Sequence, residues 1–234
     1  MNRIEMMNFS KLNYACNEAM NTLCTNLFYC GDNIRSVLVT SRHEQEGKSS
    51  VAINMLRTIA GCGKRVVLVD ADLRRSVLAS RYRFSYPKAA GKGLAEYLAG
   101  MCALEDVLYE TNIENAFIVP AGREVLNSLQ LLSSPRYKAM IDRLSGSYDV
   151  VLVDTPPAGI IVDAIEIAKH CDGALLVVAC NTGRRQEIDE VAQSIRRTGC
   201  KMLGAVLNNV NLGTFQNRRY YYRSGRYSSY YRHR

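Results

Sequence analysis

The chain has 234 residues, of which 47% are hydrophobic and 22% charged. That suits one globular domain and excludes a collagen-like, mainly disordered or disulfide-scaffold protein. The formal net charge of +8 is unevenly placed: residues 215–234 carry six arginines and no acid, and removing them leaves 24 basic against 22 acidic residues. The bulk of the chain is therefore nearly neutral, and the excess belongs to a C-terminal tail that also holds six of the fourteen tyrosines.

The opening MNRIEMMNFSKLNY lacks the apolar stretch of a secretory signal, so export is not expected. A helix is predicted over residues 10–28. Runs rich in β-branched residues then predict strands at 36–40, 65–70, 116–119, 149–154, 174–179 and 202–208. Helical stretches at 48–60, 135–144, 163–170 and 186–198 fall between them. Continuously apolar strands separated by helices predict an α/β fold, a mostly parallel sheet with helices on both faces. The run 174–180 is the most apolar, far short of a membrane span. Residues 81–93, RYRFSYPKAAGKG, read as a surface loop. Apolar periodicity stops at Gly213, which assigns 1–214 to one domain, with the 10–28 helix inside it, and 215–234 to a tail expected to be disordered. The eight cysteines form no C-x-x-C pair and are expected to be mostly buried, reduced thiols.

The chemistry concentrates where strands end. Gly47-Lys48-Ser49 sits between an apolar strand and an amphipathic helix, the place of a phosphate-binding P-loop. There a lysine reaches the β- and γ-phosphates, a hydroxyl meets Mg²⁺, and backbone N–H groups at a helix N-terminus favour anions. Arg42 stands where the full G-x-x-x-x-G-K-[ST] pattern has its first glycine. The strand at 65–70 runs into Asp70-Ala-Asp72, and the strand at 149–154 ends on Asp154 before two prolines. Ligands of open α/β sheets bind outside the carboxyl ends of the strands, so these acids are expected around Lys48. Asp154 suits Mg²⁺, which takes one or two carboxylates beside phosphates and water. ATP and Mg²⁺ are thus the expected ligands.

Strand–GKS, strand–DADLRR and strand–DTPP together resemble the bacterial tyrosine kinases, or BY-kinases, P-loop proteins related to the partition and division-site ATPases. GLAEYLAG (93–100), VPAGREVLNSLQLLSS (119–134), DTPPAGIIVDA (154–164) and LGAVLNNV (203–210) are similar to family segments in the family order. The resemblance implies ATP-dependent autophosphorylation of tail tyrosines Tyr220, Tyr221, Tyr222, Tyr227, Tyr230 and Tyr231, coupled to capsule or exopolysaccharide synthesis and export. It implies that Gly47, Lys48, Ser49 and Ser50 bind ATP, with Asn208 at the adenine, and that Ser49 and Asp154 hold the metal. Lys48, Asp70, Asp72 and Asp154 would carry the chemistry, one of the first two aspartates orienting or deprotonating the attacking phenol. It further implies a cytoplasmic chain recruited to the membrane by a transmembrane activator, with a cognate phosphotyrosine phosphatase.

Several positions depart from the family pattern. Gln45 replaces a loop glycine, Glu44 adds an anion beside the phosphates, and His43 stands where the partition ATPases carry a signature lysine on which BY-kinases do not depend. Ring-forming members carry Glu-x-x-Arg-x-x-Arg in the first helix; here Glu18 remains, but Asn21 and Cys24 replace the arginines, so any homo-oligomer would lack that charged interface. Two alternatives stay open at this level. One is a regulatory ATPase switch of the partition type, and the other a tail that binds nucleic acid through arginine–phosphate pairing and tyrosine–base stacking.

Overall fold

Runs such as Val66–Asp70 and Val150–Asp154 put branched apolar side chains on both faces of a strand, so each face needs cover. The computed structural model, which describes residues 2–86, 91–180, 182 and 184–211, supplies it as a sheet between two helical layers. In chain order the elements are β1 (Asn2–Ile4), α1 (Tyr14–Phe28), β2 (Ser36–Ser41), α2 (Lys48–Gly61), β3 (Val66–Asp70), α3 (Leu78–Arg81), α4 (Leu94–Leu98), β4 (Tyr109–Thr111) and β5 (Ala116–Val119). There follow α5 (Ser128–Leu132), α6 (Pro135–Ser147), β6 (Val150–Asp154), α7 (Asp163–Ala168), β7 (Gly173–Ala179), α8 (Arg185–Arg197) and β8 (Lys201–Asn208).

Among the described residues the eight strands lie in the order β1-β4-β5-β3-β6-β2-β7-β8. Every pair is parallel except β4 with β5. Alternate residues separate the layers, as the pleat requires. Val37, Val39, Leu68, Leu152 and Val177 pack with α1 and α2, while Leu38, Val67, Val69, Val153 and Leu176 pack with α6, α7 and α8. The strand leading into the GKS loop, β2, has β6 on one side and β7 on the other. In the β3–β6 pair Asp70 lies opposite Asp154, so the acid-bearing strands end at one level beside that loop.

Four expectations change. The first helix starts at Tyr14 rather than residue 10, because the Asn13 side chain caps it by accepting the Cys16 N–H at 2.9 Å. The residues before it run along the sheet edge instead: β1 pairs with β4, Ile4 and Met6 are buried, and Glu5 bridges Ser85. The segment at 81–93 is not simply a surface loop, since Tyr82 is buried and its carbonyl accepts the Met7 N–H at 2.8 Å. Of the eight free cysteines only Cys24, Cys171 and Cys200 are buried, while Cys16, on the outer face of α1, and Cys62, just past the end of α2, are exposed. The tail, with all six of its tyrosines, and residues 212–214 of the domain lie outside the described residues.

Candidate functional site

The loop after β2 is held open by its own residues. Glu46 turns its carboxylate inward, accepting the Arg42 and His43 N–H groups at 2.8 Å each, and Asn208 donates to the Glu46 carbonyl at 2.9 Å. Gly47, at the N-cap of α2, has φ +92°, and a Cβ there would stand 2.0 Å from Asn208 Nδ2, so both conformation and space require glycine. Gln45 has φ +61°, the left-handed conformation that the missing glycine would adopt freely. Arg42 occupies the position of the first P-loop glycine and is only 4% exposed. Its guanidinium donates to the Thr182 carbonyl at 2.6 Å and pairs with Glu187 in the first turn of α8. The loop after β6 closes on the same point: a Cβ at Gly159 would meet the Arg42 carbonyl at 2.4 Å.

Lys48 projects from the first turn of α2 toward the end of β3, its Nζ 3.7 Å from Asp72. Behind that pair Asp70 and Asp154 are buried side by side. Burial, reinforced by the charge of Asp154, pushes the Asp70 carboxyl up to about 8, although Ser76 donates a hydrogen bond to it. Burial also raises Asp154, to about 6, with Lys48 and the Ser49 hydroxyl pulling the other way. The Oδ1 atoms of both aspartates are buried without a hydrogen-bond partner. Two such oxygens beside a serine hydroxyl form a hard donor set that fits Mg²⁺. Among the described residues no three His, Cys, Asp or Glu side chains form a ready metal centre, so such a cation would take its other ligands from phosphate and water.

A cleft of about 860 Å³ opens above these groups, lined in part by Gly47, Lys48, Ser50, Asp72 and Asn208. The fold therefore brings together Gly47, Lys48, Ser49, Ser50, Asp70, Asp72, Asp154 and Asn208, but at two depths. Asp72 faces the cleft, whereas Asp70 and Asp154 lie beneath it at about 1% exposure. Asn208 directs its amide NH₂ to the loop backbone. Composition and motif spacing missed the functions of Glu46, Arg42 and Glu187; a charged residue in the first-glycine position was the available sign for Arg42, and none pointed to Glu187.

An AAA-domain family model matches residues 37–202. Over 195 residues the chain is 37% identical to the tyrosine-protein kinase CpsD of Streptococcus pneumoniae serotype 4, covering 83% of this chain and 85% of that protein. The kinase domain of the Escherichia coli tyrosine kinase ETK is similar in structure with a TM-score of 0.78 at 28% identity, covering 83% of this chain and 75% of that one. The septum site-determining protein MinD of Pyrococcus horikoshii, complexed with Mg-ADP, matches with a TM-score of 0.64 at 26% identity, over 74% of this chain and 70% of its own.

Proposed function

The chain belongs to the bacterial tyrosine-protein kinases, and from that premise we propose that it moves the γ-phosphoryl group of ATP to tyrosines of its own C-terminal tail, in the service of capsular or exopolysaccharide synthesis and export. The observation that carries this reading is the meeting of Lys48, Ser49, Asp72 and Asp154 at the ends of three adjacent strands.

In the reaction the tyrosine oxygen attacks the γ-phosphorus, the bond to the β–γ bridging oxygen breaks, and ADP leaves with that electron pair. A phenol with a pKa near 10 is a poor nucleophile at neutral pH. Asp72 faces the cleft and takes the phenolic proton, while Lys48 and the N–H groups opening α2 balance phosphate charge. Ser49 and Asp154 would hold Mg²⁺, with Asp70 behind them, and the cation would supply Lewis acidity at the phosphates. Asn208 and Asn209 line the same cleft and are the groups on which adenine recognition would rest. No helix among the described residues is long and apolar enough to cross a membrane. We place the kinase in the cytoplasm, brought to the membrane by a transmembrane activator and reversed by a phosphotyrosine phosphatase.

The test is to incubate the full chain with Mg-ATP, with and without the cytoplasmic end of a candidate activator, and to map phosphotyrosine by mass spectrometry. Tail phosphotyrosine that disappears in Lys48→Met is the expected result. ATP hydrolysis without phosphotyrosine under activation would instead make the chain a regulatory ATPase.

A further inference from the structure

The cleft continues past the phosphate loop. Ser50, Asn54 and Arg57 follow Lys48 on α2 at spacings of four and three, so they share one helix face, and all three line the cleft. Arg81, the last residue of α3, lines it too, together with Tyr82 and, from the N-terminal segment, Phe9. Arg81 Nη1 donates to Ser50 Oγ at 2.9 Å. Arg57 Nη1 donates to Asn54 Oδ1 at 3.4 Å, and its guanidinium carbon lies 4.7 Å from the centre of the Phe9 ring. The Phe9 and Tyr82 rings are 5.7 Å apart. Burial raises the Tyr82 phenol above its ordinary value, with Ser50, Arg81 and Arg57 pulling the other way.

The other cleft cations have carboxylate partners: Lys48 has Asp72, Arg74 has Asp163 and Arg75 has Glu44. Among the described residues Arg57 and Arg81 have none; their hydrogen bonds go to a neutral amide and a neutral hydroxyl. Two guanidinium groups in one cleft, with hydroxyl and amide donors between them and an aromatic wall alongside, present the complement of an aromatic phosphoester. We propose that Arg57, Arg81, Ser50 and Asn54, with Phe9 and Tyr82, form a second phosphate-binding subsite beyond the P-loop that holds a phosphotyrosyl group.

This rests on the kinase reading, since phosphotyrosine is the product of that reaction. The subsite distinguishes product from acceptor by charge. The unmodified tail, with six arginines and no acid, is repelled by the two guanidinium groups, whereas each transferred phosphoryl group adds ~1.5 to 2 negative charges. From Lys48 to Asn54 is ~9 Å along the helix axis, which an extended peptide spans in about three residues. A held phosphotyrosine thus presents tyrosines two or three positions away to the phosphate loop, and Tyr220 with Tyr222 and Tyr227 with Tyr230 supply such neighbours.

The experiment is fluorescence anisotropy with a labelled peptide of residues 218–231 phosphorylated on tyrosine, titrated with the unphosphorylated full chain under saturating Mg-ADP. The unphosphorylated peptide and a phosphoseryl peptide serve as comparisons. The expected order is phosphotyrosyl tightest, phosphoseryl weaker and unmodified weakest. Arg57→Gln and Arg81→Gln each weaken the phosphotyrosyl peptide by ~10-fold, Arg57→Gln leaving Mg-ADP affinity unchanged. Phe9→Leu, a milder variant, removes the preference for tyrosyl over seryl phosphate. Loss of peptide binding on adding Mg-ADP would show that the anion site belongs to the nucleotide and would overturn the proposal, as would indifference to both arginine substitutions. Failure to bind Mg-ADP, or to phosphorylate the tail, would strike the kinase reading and is measured separately.

Discussion

At the scale of single residues, Gln45 and the buried aspartates are the positions under strain. A non-glycine residue at φ +61° costs on the order of 1 kcal/mol. Gln45→Gly is expected to recover about 1 kcal/mol, raising the melting temperature by ~2–4 °C, and to lower the KM for ATP by clearing a side chain from the cleft wall. An unchanged melting temperature in calorimetry would count against the strain. Asp70 and Asp154 give a pH signature. Both folded values, about 8 and about 6, lie above the ordinary carboxylate value of 3.8. The folded protein therefore binds more protons than the unfolded chain across this window, and its stability falls as pH rises through it. The melting temperature of the nucleotide-free protein is accordingly expected to fall between pH 5 and pH 9. Asp70→Asn should flatten the slope above pH 7, and a parallel slope in that variant would remove Asp70 as its source.

At the scale of elements, the phosphate loop is fastened to α8 through one side chain. Arg42 reaches Glu187 and the Thr182 carbonyl, while Glu46 ties the loop backbone from inside. Breaking a buried pair leaves a charge without its partner. Glu187 is 44% exposed, so water recovers part of that loss. Arg42→Met is expected to cost ~2 kcal/mol and to raise the KM for ATP more than it lowers kcat, because it loosens the loop and leaves Lys48 and Asp72 in place. In an Arg42→Met, Glu187→Gln double-mutant cycle the two losses should be less than additive. Full additivity in chemical denaturation would mean that the pair does not couple loop to helix.

At the scale of the whole molecule, charge is divided between a nearly neutral domain and a basic tail. Three or four phosphotyrosines, at ~1.5 to 2 charges each, bring six arginines to about neutral or beyond. The unphosphorylated chain is expected to bind an anionic polymer with a steep salt dependence that phosphorylation flattens. Identical salt titrations of the two forms would reject an electrostatic switch. Assembly bears the same stamp. On α1, Asn21 is exposed and donates to Glu18 at 3.4 Å, while Cys24 is buried against the core, so neither position offers a cation to a neighbouring subunit.

What could be read from one dimension was what is periodic or contiguous. The six strands, the helices between them and the GKS, DAD and DTPP junctions came from apolar runs and motif spacing, because a strand covered on both faces, as β2 and β6 are, must be apolar along its length. The three-residue strands β1 and β4 could not be read that way, since polar edge segments such as Asn2–Ile4 become strands only through their partners. The capping of α1 by Asn13 and the burial of Tyr82 are likewise products of packing across distant segments. At the site, the sequence by itself determined which groups were available: a lysine, a serine, three aspartates and a tyrosine-rich tail. Only the tertiary structure decided their depth, with Asp72 in the cleft and Asp70 and Asp154 beneath it, and turned Arg42 from a departure in the P-loop pattern into its fastening to Glu187. Depth and long-range pairing depend on neighbours far apart along the chain, and strand register brings those neighbours together.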